Sequence, residues 1–219
     1  MLSNTFARSM RCLIPTHSSP TLFLRGSRHI STLPENPSIY VHDHPLDRTK
    51  SLLSLLPTTP PTPQLAIGTC TSLPATPQSF TPNPPFLQIL SSVCATYAAH
   101  DPMVQQQAAV FASPGGFNLG GSNDGANNQA GAGGGTRGGW IHVSDLRNPP
   151  DYGRIAWPED IIGSLEVSGH GKVVDGGNWS ESGTYRIVTR EGILGLTDFM
   201  RGKVMERLRE LEREIKDKS

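Results

Sequence analysis

The stretch "IAWPEDIIGSLEV", residues 155–167, sets three acidic side chains and a proline among apolar residues. Its reading decides between a carboxylate site and the entrance to a buried strand. An acid/base pair would use Glu159 and Asp160, yet neighbours on a strand point to opposite faces and do not share a substrate. A strand entrance accounts for all the residues. Pro158 has no N–H to give and belongs at a strand start, and the acids stay solvated until Ile161 or Ile162, Leu165 and Val167 turn inward.

Outward from that strand the C-terminal part, 140–219, reads as an antiparallel β-meander. "WIHVSDL" (140–146) alternates with period 2, and "RNPPDYGRIAWPED" is a turn-rich crossing. "HGKVVDGG" is the expected hairpin mate, with Gly169-His170-Gly171 at the turn. "GTYRIVTREG" alternates again, sending Tyr185, Ile187 and Thr189 one way and Arg186, Val188 and Arg190 the other. A long helix closes the chain. Thr197 is its expected cap, and Met200, Val204, Leu208, Leu211 and Ile215 form one apolar stripe. Glu212 with Lys216 and Glu214 with Lys218 fall at i,i+4 on the other face, each pair contributing about 0.3 kcal/mol. The stripe needs cover, and the apolar face of the 160–190 sheet is the expected surface. The fold class is therefore α+β, a small C-terminal β-meander packed by one long helix.

Residues 31–113 read as a Pro-rich arm bearing a short helical pair. In "DRTKSLLSLLPTTPPTPQ", Asp47 is the expected cap of a brief helix through Leu52, Leu53, Leu55 and Leu56, stopped by Pro57. "PTTPPTP" reads as a polyproline spacer and "LAIGTCTSL" (65–73) as a strand. Phe86, Ile89, Leu90, Val93 and Tyr97 line one face of a helix over about 84–99, with Asn83 as cap and Pro84 at its first position. Asp101 and Pro102 start a second helix over about 102–112, with Val104, Ala108 and Phe111 apolar. Residues 114–139 are a Gly/Asn-rich linker that buries too little apolar area to offset chain entropy. With 23 Gly and 19 Pro in 219 residues, extensive segments are expected to stay disordered.

Residues 1–30 carry Arg8, Arg11, Arg25 and Arg28 without an acid, and Leu2, Phe6, Met10 and Leu13 fall on one helical side. That is the pattern of a mitochondrial transit peptide. "RHIS" (28–31) places an arginine three residues before a small one, so cleavage is expected between Ile30 and Ser31. Losing those four arginines from 19 basic residues, against 19 acidic ones, leaves about −4. Such a chain lacks the basic excess that phosphate backbones demand, which argues against a nucleic-acid partner. No apolar run reaches the length of a membrane span. Cys12, Cys70 and Cys94 show no CxxC spacing.

The remaining motifs lack their context. Gly133, Gly135 and Gly138 spell G-x-G-x-x-G without a preceding strand or a following helix. His42 and His44 flank Asp43 but have no third ligand at an interpretable spacing, and they read as exposed. Cys70 has no local base and reads as semi-buried, and no G-x-S-x-G occurs. No catalytic residue, cofactor or metal site follows. Asn178-Trp179-Ser180 matches a glycosylation acceptor, which import into mitochondria would make irrelevant. Among the tryptophans, Trp157 is the candidate partner contact together with Arg186 and Arg190.

"WIHVSDLRNPPDYGRIAWPEDIIGSLEV" and "SGTYRIVTREGILGLTDFMRGKVMERL" resemble a family of uncharacterised fungal mitochondrial proteins. The resemblance covers about residues 37–112 and 138–212 and implies no activity, so no catalytic residue comes with it. The expectation is a mitochondrial accessory or assembly factor of the matrix that works through contacts with a protein partner. A small enzyme with its site between arm and C-terminal unit is the alternative, and a mitoribosome-associated protein the third.

Overall fold

The computed structural model describes residues 30–112, 138–151 and 154–218. Of the expected transit peptide only Ile30, and of the expected linker only Gly138 and Gly139, lie among them. Gly133, Gly135 and Arg137 fall outside.

The chain is α+β, with antiparallel sheets and a long C-terminal helix as expected. Its N-terminal part is more than an arm. Five strands form a meander in sequence order: β1 (Ser31–Thr32), β2 (Tyr40–Asp43), β3 (Ser51–Ser54), β4 (Gly68–Cys70) and β5 (Phe80–Pro82). The helix expected over Leu52–Leu56 is strand β3 and its extension. Leu53 sits opposite Val41 and Leu52 opposite His42, and all four leucines are buried. A short apolar run serves a buried strand as well as a helix, and the paired neighbour decides. Asp47 closes the β2–β3 turn instead of capping a helix. Its carboxylate accepts from the Thr49 amide and hydroxyl, and those bonds, the hydroxyl's first, hold its pKa down to about 2. His42 is buried too, its Nε2 lying 3.1 Å from the Leu56 carbonyl. The expected strand at 65–73 is present as β4. It passes so close to β5 that a Cβ on Gly68 would stand 2.4 Å from the Thr81 carbonyl.

Helix α1 (Pro84–Tyr97) buries Phe86, Leu90, Val93 and Cys94. Asn83 does not cap it with its side chain. The Asn83 amide donates instead to the carbonyls of Gln64 and Ala66, at 3.0 and 2.7 Å, tying α1 to a 3-10 turn at Pro63–Leu65. In α2 (Pro102–Phe111) the expected cap is present: Asp101 Oδ1 accepts from the Met103 amide at 2.8 Å.

The C-terminal sheet has the order β6 (Gly139–Ser144), β7 (Ile161–Val167), β8 (Ser180–Glu181). The segment expected as β7's mate makes a single bridge, Val167 to Val173, and β8 takes that place. Gly163 lets β7 pass beneath Trp179, whose ring a Cβ would meet at 2.3 Å. A small hairpin, β9 (Val188–Thr189) with β10 (Gly192–Ile193), follows. Here strict alternation fails. Ile187, Val188 and Thr189 are all buried, and only Arg186 and Arg190 stay outside.

Helix α3 (Asp198–Asp217) starts on Thr197, which accepts from the Met200 amide at 3.1 Å. Its stripe was expected on the 160–190 sheet, but α3 packs chiefly along α1 and reaches the Pro63–Leu65 turn. Met200, Val204 and Leu208 share a core with Leu53, Ile67, Phe86, Leu90, Ile162 and Val188. The sheet face has another cover: Val104, Ala108 and Phe111 of α2 meet Ile141, Val143, Leu165 and Val167 in a second core. Burial of each stripe is what holds such helices, since alone they are marginal in water. The two helix starts are joined, because the Thr197 hydroxyl donates to Asp101 Oδ2 at 2.5 Å. Glu212 pairs with Lys216 as expected but is buried instead of lying on the outer face, whereas Glu214 lies against Arg207. Glu212 also accepts from Thr58 at 3.2 Å, so the proline-bearing segment is held against α3. Among the described residues no helix is long and apolar enough to cross a membrane.

Candidate functional site

Asp160, expected to stay in solvent, is buried. Pro158–Asp160 form a 3-10 turn ahead of β7, and this turn swings the Asp160 carboxylate inward. A buried carboxylate needs a cation, and Arg147 supplies it, its Nε donating to Asp160 Oδ1 at 2.7 Å. The other guanidinium nitrogens donate to the carbonyls of Ile187 at 2.8 Å and Glu159 at 2.9 Å. The Arg147 side chain is 2% exposed, and that of Asp145 beside it is fully enclosed. Asp145 accepts from the Tyr185 hydroxyl at 2.7 Å and the Gly195 amide at 2.8 Å, with Arg147 Nη1 3.7 Å away. Arg147 also stands over the Tyr185 ring, 5.5 Å from its centre.

Four side chains from separate segments thus meet: Asp145 after β6, Arg147 in the crossing, Asp160 before β7 and Tyr185 before β9. Burial raises the Asp145 pKa, while Arg147 and the donated hydrogen bonds pull it back. Burial first, then the Asp145 charge, puts Tyr185 well above its ordinary value, so the phenol keeps its proton and donates. The three charged side chains are enclosed and bonded to one another, to backbone or to the Tyr185 hydroxyl, which makes the group a brace. Cys94, on α1 below, is pushed up to about 12 by burial and by Asp101 and Glu181, and stays a thiol. Cys70 and Cys94 are both free and fully buried, Cys70 more so than expected.

The brace supports the turn that carries Trp157. Arg147 holds the Glu159 carbonyl, the Asp160 amide donates to the Trp157 carbonyl at 2.8 Å, and Thr184 Oγ1 donates to the Pro158 carbonyl at 2.7 Å. The Trp157 side chain itself faces outward and is 70% exposed, with Ile155 at 50%. The two border a cleft of about 590 Å³ with Pro149, Pro150 and Arg154. Of the expected contact residues, Arg186 is tied to this turn by its amide, which donates to the Glu159 carbonyl at 3.1 Å, and its side chain is exposed. Arg190 sits apart in sequence at the β9–β10 turn, exposed as well. Trp179 instead packs against both cores, and Trp140 is half-exposed on β6. Ser31 opens β1, opposite Val41, and Ile30 before it is exposed.

Periodicity did not reveal Asp145, Arg147, Asp160 or Tyr185 as a group. They are spread over 40 positions, and the usable sign was two acids and an arginine bracketing a crossing that both leaves and re-enters the sheet. Among the described residues no three His, Cys, Asp or Glu side chains are placed to hold a metal, and His42 bonds a carbonyl instead. Comparison with protein-family models, with curated proteins and with solved structures finds no match to this chain.

Proposed function

We propose that this protein is an accessory or assembly factor of the mitochondrial matrix that acts by docking a protein partner on the Trp157 turn. The observation that carries the reading is an exposed tryptophan on a turn braced from beneath by buried charges. A large aromatic held out at low conformational cost is what a binding hot spot requires. Arg186, exposed and tied to this turn by its amide, and Arg190, exposed at the β9–β10 turn, are the cations proposed to meet the partner, setting orientation and encounter rate more than affinity. The acid-free leader with Arg8, Arg11, Arg25 and Arg28 supports the compartment.

Tagged chain, wild type and Trp157→Ala, is expressed in cells, its import is followed by protease protection, and partners are retrieved after crosslinking in mitochondria. A protected chain shortened at its N-terminus is expected, with a partner that the wild type retains and Trp157→Ala loses. Cytosolic chain with its first methionine intact refutes the compartment. Equal retrieval by both chains, or no partner above background, refutes the docking role.

A further inference from the structure

A second opening lies between α1 and the segment after β8. It measures about 160 Å³ and is walled by Leu87, Leu90, Ile162 and Tyr185, with Ser91 and Glu181 at its edge. Leu90 and Ile162 are buried core residues, and Tyr185 is anchored to Asp145, so three walls are rigid. At the mouth, Gly183 has nothing within 4 Å of where a Cβ would stand.

Size narrows the occupant first. Free small molecules take pockets of roughly 300–1,000 Å³, and this one is about half the lower figure, enough for a single side chain. Charge narrows it next. Glu181 is exposed, and among the described residues no cation pairs with it. Its charge also reaches Cys94 on α1, where it adds, after burial and Asp101, to the upward shift of the thiol. The nearest cation in sequence, Arg186, has an exposed side chain, and the ion pairs of the described residues do not join it to Glu181. An acidic side chain would be repelled by Glu181, whereas a purely apolar one would fill the walls and gain nothing from the carboxylate. A basic side chain fits both features, since its methylenes lie on apolar walls while the charge stays at the wet rim.

We propose that this opening receives one lysine or arginine side chain of the protein partner, with its methylenes on Leu87, Leu90 and Ile162 and its charge on Glu181. The proposal rests on the protein-contact reading and deepens it. The Glu181–Arg186 segment links the opening to the Trp157 turn, through the Thr184 hydroxyl on the Pro158 carbonyl and the Arg186 amide on the Glu159 carbonyl.

The test is an amide NMR titration of the full chain with capped tripeptides Gly-X-Gly, where X is lysine, arginine, norleucine or glutamate. Lysine or arginine peptide is expected to shift the Ser91 and Gly183 amides saturably in the millimolar range, at least three-fold more tightly than norleucine. Glutamate peptide leaves them unmoved. Glu181→Gln, whose spectrum elsewhere shows it folded, is expected to bring the basic peptides to the norleucine level. Equal binding of norleucine, no effect of Glu181→Gln, or shifts confined to other amides overturns the proposal. The docking role has its own readout: if Trp157→Ala still loses the partner while the peptides fail, only this basic-anchor proposal falls.

Discussion

Replacing Arg147 with methionine keeps most of the side chain's length and removes the charge beneath the Trp157 turn. The loss follows from the structure. Three guanidinium bonds of 2.7, 2.8 and 2.9 Å disappear, and Asp145 and Asp160, both almost fully enclosed, lose their shared cation. Breaking a buried ion pair by deleting one partner costs about 3–5 kcal/mol, chiefly because a charge stays behind without compensation. For a chain of this size that lowers Tm by about 6–20 °C. Urea unfolding followed by circular dichroism measures it. The pH dependence separates charge from packing. Asp145 already has a folded pKa above its ordinary 3.8, so the native state holds that proton more tightly than the unfolded chain does. A carboxyl of this kind weakens the fold as pH rises from its unfolded value through its folded one. Without Arg147 the folded value rises further, so the deficit of Arg147→Met is expected to be largest near pH 7 and to shrink towards pH 4. Adding Asp145→Asn and Asp160→Asn should restore more than half of the loss. A cost below about 1 kcal/mol at pH 7, or a deficit that grows on acidification, refutes the brace.

Other substitutions probe the packing and the thiols. Gly163→Ala places a Cβ 2.3 Å from the Trp179 ring and 2.8 Å from the Ser180 carbonyl, and about 1–3 kcal/mol of destabilisation is expected in urea titration, with the tryptophan emission shifted. An unchanged midpoint would show that the ring yields freely. Thr197→Ala removes the α3 cap and the donor to buried Asp101, with an expected cost of about 1–2 kcal/mol. If calorimetry shows the variant as stable as wild type, the link between the two helix starts contributes nothing. In a chain beginning at Ser31, neither Cys70 nor Cys94 should react with a disulfide reagent at pH 8 until guanidinium is added, after which both should. Fast labelling of native Cys94 would contradict its burial.

Several elements were legible because one spacing sufficed. The stripes of α1, α2 and α3, the caps Asp101 and Thr197, and the period-2 strands β6 and β7 all carry their signal within a dozen or so residues. The run Leu52–Leu56 was not legible, because an apolar stretch that short satisfies both periods, and β2 alongside decides for the strand. Val188 defeats the alternation for the same reason, since the hairpin is covered on both sides. Trp157 could be singled out as a residue, but its exposure could not be read from its neighbours.

The local pattern of residues was enough to determine the α+β class, the three helices and most of their ends, because helix and strand periods are written in consecutive residues. Only the tertiary structure decided that the N-terminal part shares a core with α3, that α2 covers the β6–β7 sheet, and that Asp145, Arg147, Asp160 and Tyr185 meet. Those outcomes depend on which apolar faces find each other and on where a buried carboxylate finds its cation. Both are set by distances in space between residues more than 150 positions apart, such as Leu53 and Leu208 of one core, which no spacing along the chain encodes.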